Sequence, residues 1–264
     1  MSLVPHACTQ ASPRVPFSSR VFVLSLPKAG TYLIAALLER SGFIATGWHV
    51  RLDGYEDYST VPLDQARQTP AACRRERPLA ATLEAIPPGG FAVGHLPYSA
   101  TTASLLRPFR CLVLLREPRA ALLSRLRFQW ASGRAAARAA SWLAAASPQE
   151  ALHQFLYHEG PERLAHLRAL APWATAIGPD YFHLRFETLQ NDALAPSFLE
   201  TLYNWLDIPP PEPLPTLMPS LRTHETLTRW PGAGTAPTLF WDATCESWWQ
   251  SEGGPEISRM FGYE

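Results

Sequence analysis

Three short segments of this chain hold side chains whose types and spacing suit an anion and a proton. Pro27-Lys28-Ala29-Gly30-Thr31 brings together a cation, a glycine and a hydroxyl. A glycine lets backbone come close to a ligand, and a hydroxyl in the first turn of a helix adds to free N–H groups that already favour an anion. His95-Leu96-Pro97 offers an imidazole, whose ordinary pKa of about 6.5 suits proton transfer. Arg116-Glu117-Pro118-Arg119, with Ser124 in the same stretch, supplies a guanidinium that can grip a phosphate through two parallel hydrogen bonds. The anion is narrowed by the form of the first segment. Triphosphate loops read G-x-x-x-x-G-K-[ST] and wrap two phosphates, with the hydroxyl on magnesium. Here the lysine precedes the glycine and the loop is shorter, so one phosphate with its substituent fits better than a β,γ pair.

These residues need elements to position them. Val21 to Leu26 is a short apolar run of strand formers that Pro27 ends by removing a ladder donor. Tyr32 to Glu39 is strongly helix-forming, with Gly42 as its C-terminal stop. The pattern of strand, short turn and helix recurs. Phe91-Ala92-Val93-Gly94 forms a compact strand ending at His95, and Phe109 to Leu115 is the apolar run of a central parallel strand. Pro118 at a first helical position beside Glu117 starts the next helix. Further helices are expected at 79–86, 99–107, 134–146, 148–170, 195–206 and 241–250, with a strand over Tyr181 to Phe186. Residues 51–78 read as loops and short helices, and the region after 206 as loop-rich because prolines cluster at 205–237. Alternating strands and helices imply an α/β fold, a P-loop-like three-layer α/β/α domain around a central parallel sheet. Ligands of such sheets sit at the carboxyl ends of strands, where Lys28, His95 and Arg116 all fall.

With 264 residues the chain suits one large domain, taken as 20–264 after a flexible Pro- and Ser-rich segment at 1–19. Lysine plus arginine balances aspartate plus glutamate at 23 each, so no global charge points to nucleic acid or an anionic membrane, and a basic site must be local. No stretch reads as a transmembrane helix or a leader peptide, which gives the expectation of a cytoplasmic protein. Cys8, Cys73, Cys111 and Cys245 are too scattered for metal or redox spacing. His49, His153, His158, His166, His183 and His224 lack the context of His95 and read as structural or solvated. Trp48, Tyr55, Tyr58, Phe128 and Trp130 are candidates for an acceptor pocket or for core.

Together the three segments resemble the sulfotransferases that use 3′-phosphoadenosine 5′-phosphosulfate (PAPS), in particular a small, bacterial-like member of the cytosolic type. That family's strand, P-K-[SA]-G-T loop and helix stand here at Pro27 to Thr31. Its H-L-P stands at His95 to Pro97, and its R-[DE]-P-R with a later serine at Arg116 to Arg119 and Ser124. Weaker echoes are Leu184-Arg185-Phe186-Glu187, Thr228 and Arg229 with Gly232 and Gly234, and the closing Phe261-Gly262-Tyr263-Glu264.

The resemblance implies transfer of a sulfuryl group from PAPS to a hydroxyl of a small acceptor, leaving 3′-phosphoadenosine 5′-phosphate (PAP), and the nine tryptophans hint that this acceptor is apolar or aromatic. By that analogy Lys28, Ala29, Gly30, Thr31 and Tyr32 would hold the 5′-phosphate side. Arg116 and Ser124 would hold the 3′-phosphate, with Arg229 and Gly232 in support, and Phe186 or Trp230 would stack on adenine. His95 would be the general base and Lys28 would stabilise the leaving nucleotide; no metal is implied. Tyr32 and Leu33 stand where the family has T-W, and Val93 stands where a lysine is frequent. The short dimer segment of the cytosolic branch is not found, so the oligomeric state stays open. Two other classes remain: a nucleotide-dependent kinase or phosphotransferase, which would bind ATP with magnesium, and a non-catalytic nucleotide-binding protein of the same fold.

Overall fold

The computed structural model describes residues 18–134, 140–229 and 237–263. It is an α/β fold built on one seven-stranded sheet in the order β4-β3-β2-β5-β1-β6-β7. The strands are β1 Arg20–Ser25, β2 Ile44–Arg51, β3 Gly54–Asp57, β4 Arg74–Glu76, β5 Gly90–Gly94, β6 Phe109–Leu115 and β7 Tyr181–Arg185. Five of them, β2, β5, β1, β6 and β7, run parallel, and β3 and β4 extend one edge in the antiparallel sense. Val21 to Leu24 of β1 and Cys111 to Leu115 of β6 are buried, as strands covered by helices on both faces must be. Burying each Val or Leu there contributes about 1.5–3 kcal/mol.

The helices are α1 Thr31–Arg40, α2 Leu63–Gln68, α3 Leu79–Glu84, α4 Ala100–Leu106, α5 Pro118–Ala131, α6 Pro148–Leu170, α7 Phe186–Gln190, α8 Ala195–Leu206, α9 Leu214–Thr223, α10 Ala243–Ser251 and α11 Gly254–Met260. Local chemistry explains the two that matter most for the site. Helix α1 begins at Gly30, whose φ of 93° suits glycine, and no side chain caps it. It ends as the glycine at position 42 foretold: with φ 93°, Gly42 donates its N–H to the Glu39 carbonyl, and Phe43 reaches back to Leu38. Helix α5 begins with Pro118 at its first position, and the Glu117 carboxylate accepts the Ala120 N–H at 2.6 Å.

Three expectations need correction. Residues 51–78 do not form only loops and short helices, because β3 and β4 pair through Gly54 to Glu56 and lengthen the sheet. Their three or four residues are too few for an alternating pattern to show. The stretch after 206 is not loop throughout: α9 runs from Leu214 to Thr223 with Pro215 in its first turn and Pro219 inside it, held by buried Leu217, Met218 and Leu221. Apolar spacing there outweighs proline, at a cost of about 3 kcal/mol for the internal ring. The expected helix at 134–146 falls partly outside the described residues, and Ser141–Ala144 within it is a single 3₁₀ turn. The expectation of a flexible 1–19 segment lies almost wholly outside the described residues, as do Cys8, Trp230, Gly232 and Gly234. Among the described residues no helix is long and apolar enough to cross a membrane.

Candidate active site

Because β1 lies between β5 and β6, their three carboxyl ends are neighbours, and Lys28, His95 and Arg116 come together as expected. They line one cavity of about 390 Å³ with Gly30, Thr31, Tyr32, Ser124, Phe186 and Arg229. Ala29 is buried behind the loop. Gly232 lies outside the described residues.

The loop after β1 is wound tightly. Lys28 has φ 67° and Gly30 φ 93°. A Cβ on Gly30 would stand 2.6 Å from Phe186, so the ring of Phe186 rests against this loop. Lys28 turns its ammonium over the Phe128 ring at 4.0 Å. Burial, and then Arg125, Arg116 and Arg134, push its pKa well below the usual lysine value. Arg116 donates Nη1–H to the Lys28 carbonyl at 2.6 Å and lays its guanidinium over Phe186 at 4.3 Å. Its Nε is buried with no partner among the described residues.

The electrostatics of this cavity are lopsided. Lys28, Arg51, Arg116, Arg125, Arg134, Arg222 and Arg229 line it against a single carboxylate, Glu56. Glu56 is itself held by Arg51 at 2.9 Å. In a chain with no net charge, such a concentration suits a polyanion. The uncapped first turn of α1, the orphaned Arg116 Nε and the close backbone approach at Gly30 fit phosphate groups.

His95 is oriented by a residue the sequence did not single out. Its Nδ1 lies 2.7 Å from the Ser25 carbonyl oxygen, which only an N–H can satisfy. The same nitrogen is 3.1 Å from Ser25 Oγ, which in turn is 2.8 Å from the Thr31 hydroxyl. The proton therefore sits on Nδ1, and Nε2 is left with a lone pair that no described residue engages. Burial, followed by neighbouring His49, holds the pKa of His95 well below 6.5 against the opposing Ser25 hydrogen bond. A neutral imidazole with a free lone pair is a competent base.

His49, read as structural or solvated, is not solvated: it is part-buried beside His95 and lines the same cavity. Its ring meets His95 edge to face, 4.6 Å between centroids, and its Nδ1 is 2.9 Å from the Tyr32 hydroxyl. No local motif marks it, because β2 reaches His95 only through strand pairing. A second cavity of about 720 Å³ adjoins the first, and Pro27, His49, Arg51, His95 and Arg125 line both. Its remaining walls combine Val50, Leu52, Pro97, Leu122 and Leu167 with Asp53, Glu162, Arg163 and His166. Among the described residues no Phe, Tyr or Trp lines it. Tyr58 and Phe128 belong to the first cavity, Trp48 stacks on Tyr55 at 4.6 Å, and Trp130 on Trp142 at 5.7 Å. Trp142, Trp173 and Trp249 are core, so tryptophan content says nothing about the acceptor.

Away from this cleft, His153, Asp242 and Cys245 come close enough to hold a metal ion. Their contacts have a structural account: Asp242 caps α10 by accepting the Cys245 N–H at 2.9 Å and ties it to α6 through His153 at 2.9 Å and Gln149 at 2.8 Å. Cys73, Cys111 and Cys245 are free and buried.

No model of a protein family matches the chain, and no curated protein matches it. Two solved structures do. Retinol dehydratase, crystallised with androsterone and the inactive cofactor PAP, aligns with a TM-score of 0.46 at 18% identity over 79% of this chain. The chain spans 65% of that protein's length. Sulfotransferase STF9 from Mycobacterium avium aligns with a TM-score of 0.46 at 13% identity, over 95% of this chain and 78% of that one. Likeness this distant identifies no reaction, and the chemistry must come from this chain's own side chains.

Proposed function

We propose that the protein is a sulfotransferase that takes PAPS as donor in the first cavity and binds a hydroxyl-bearing small molecule in the second. The observation that carries the reading is the placement of His95, whose base nitrogen is free and which lines both cavities. In this scheme the N–H groups at the start of α1, with Gly30, Thr31 and Tyr32, receive the 5′-phosphate. Arg116 uses its unpartnered Nε and Ser124 its hydroxyl for the 3′-phosphate, with Arg229 at the cavity edge. His95 takes the acceptor's proton on Nε2 as the acceptor oxygen forms its bond to sulfur. The bond from sulfur to the phosphate oxygen breaks, and Lys28 stabilises the charge that appears on that oxygen. Phe186 already carries Arg116 and packs on Gly30, so it offers adenine an edge or one remaining face.

Calorimetric titration tests the reading without knowledge of the acceptor. Adenosine 3′,5′-bisphosphate is expected to bind tightly without metal, and 5′-AMP to bind more weakly for want of the 3′-phosphate. A preference for ATP with magnesium would move the protein to the phosphotransferases. Tight bisphosphate binding with no turnover on any hydroxyl compound in an acceptor screen would leave a non-catalytic binder.

A further inference from the structure

The second imidazole of the cleft has a geometry of its own. Strand β2 carries an irregularity between Ala45 and His49: four residues there span the two steps from Phe91 to Val93 of β5. Gly47 absorbs it, with φ 73° and no room for a Cβ, which would stand 2.9 Å from Ser59. The insertion sets His49 level with Val93, one pleat before His95 and on the same sheet face. Bulges beside active sites re-aim side chains in this way. Tyr32, one helical residue after Thr31, then meets His49 Nδ1 with its hydroxyl. Burial raises the Tyr32 pKa well above its usual value and lowers that of His49 to about 3, so the phenol keeps its proton and the imidazole stays neutral. Donation of the phenol O–H to Nδ1 places the single imidazole proton on Nε2, whereas donation to Tyr58, which also hydrogen-bonds Tyr32, would place it on Nδ1. No described residue bonds Nε2, and the ring faces both cavities.

We propose that His49 is a second catalytic imidazole, which donates its Nε2–H to an oxygen of the transferring sulfuryl group, with Tyr32 as the positioning residue that fixes this tautomer. The inference rests on the sulfotransferase reading. The two histidines then divide the work: His95 presents a lone pair to the acceptor, and His49 presents a proton to the group in flight. The Ser25 carbonyl oxygen fixes the proton of His95 on Nδ1, and the proposal has the Tyr32 hydroxyl donate to Nδ1 of His49, which gives the opposite tautomer. No net proton is consumed by His49, because its N–H remains in place throughout.

The experiment compares affinity for PAPS with affinity for PAP, which lacks the sulfuryl group. In His49→Leu the ratio is expected to fall about tenfold relative to the wild type while PAP affinity holds, which also reports that the variant is folded. His49→Gln, whose amide N–H reaches a similar point, is expected to restore most of it. Nitrogen-15 spectra of the wild-type imidazole should show the proton on Nε2, and Tyr32→Phe should disturb that tautomer. An unchanged ratio in His49→Leu, an equal loss for both nucleotides, or a proton on Nδ1 would overturn the proposal. If the wild type binds neither nucleotide, the sulfotransferase reading itself fails and takes this proposal with it.

Discussion

The two cavities that meet at His95 handle charge in opposite ways. The first gathers Lys28 and six arginines around one carboxylate, and it leaves the Arg116 Nε without a partner among the described residues. The second sets carboxylates beside its cations: Asp53 and Glu162 line it with Arg51, Arg125 and Arg163, and Arg163 is held by Glu159 at 2.8 Å and Glu162 at 3.1 Å. A lining with a large excess of cations over carboxylates suits an anion, whereas one nearer to balance gains less by taking one. On the proposed reading, the contrast suits the nucleotide to the first cavity and an acceptor without strict charge requirement to the second.

The contrast can be broken at its junction first. His95→Ala should lower sulfation of any accepted hydroxyl compound by about 10²–10⁴-fold, the usual worth of a general base. Bisphosphate affinity should change little; turnover that survives would remove His95 from the chemistry. The next effect separates the cavities. Arg116→Ala should weaken binding of adenosine 3′,5′-bisphosphate by about 10–100-fold, the loss of a charge-assisted hydrogen bond, and leave 5′-AMP affinity almost unchanged. The matching change in the second cavity, Arg163→Gln, should move bisphosphate affinity less than about twofold. Equal effects of the two substitutions in a titration would erase the distinction.

The remaining effect is on stability. Both junction histidines have folded pKa values below their unfolded ones, so the unfolded chain takes up protons that the folded protein refuses. Stability is complete above about pH 6.5 and declines as the pH falls, for His49 over the range down to about 3. Urea midpoints at pH 7 and pH 5 should reveal a loss of about 3–4 kcal/mol, about half that in His49→Gln. A midpoint that does not fall with pH would show that the imidazoles are better solvated than the geometry implies.

How much of this was legible in the chain depends on how each residue reaches the site. Lys28, Gly30 and Thr31 sit in one loop, and Arg116 and Ser124 on one turn and the helix after it. Their relation is short-range, so spacing reveals it. His95 directly follows strand β5, two residues before Pro97, and the sheet order β5-β1-β6 brings it beside the others. Ser25 and His49 were not legible in the same way. Ser25 looks like one more residue of a buried strand, and its role appears only when β1 and β5 lie side by side. His49 depends on a strand irregularity that pairing alone exposes. The edge strands β3 and β4 were missed for a related reason, because their short polar sequences acquire strand character only from their neighbours.

Ser25 has one more consequence. A single buried residue touches both the Thr31 hydroxyl at the phosphate loop and the protonated Nδ1 of His95, across the ring from its base nitrogen. Variation at position 25 would therefore change nucleotide grip and proton uptake together, and selection could not tune one without disturbing the other. The carbonyl half of that arrangement belongs to the backbone and is inherited by any residue at this position; only the hydroxyl half is open to change. Drift here would cost the loop its link to the base before it cost the base its tautomer.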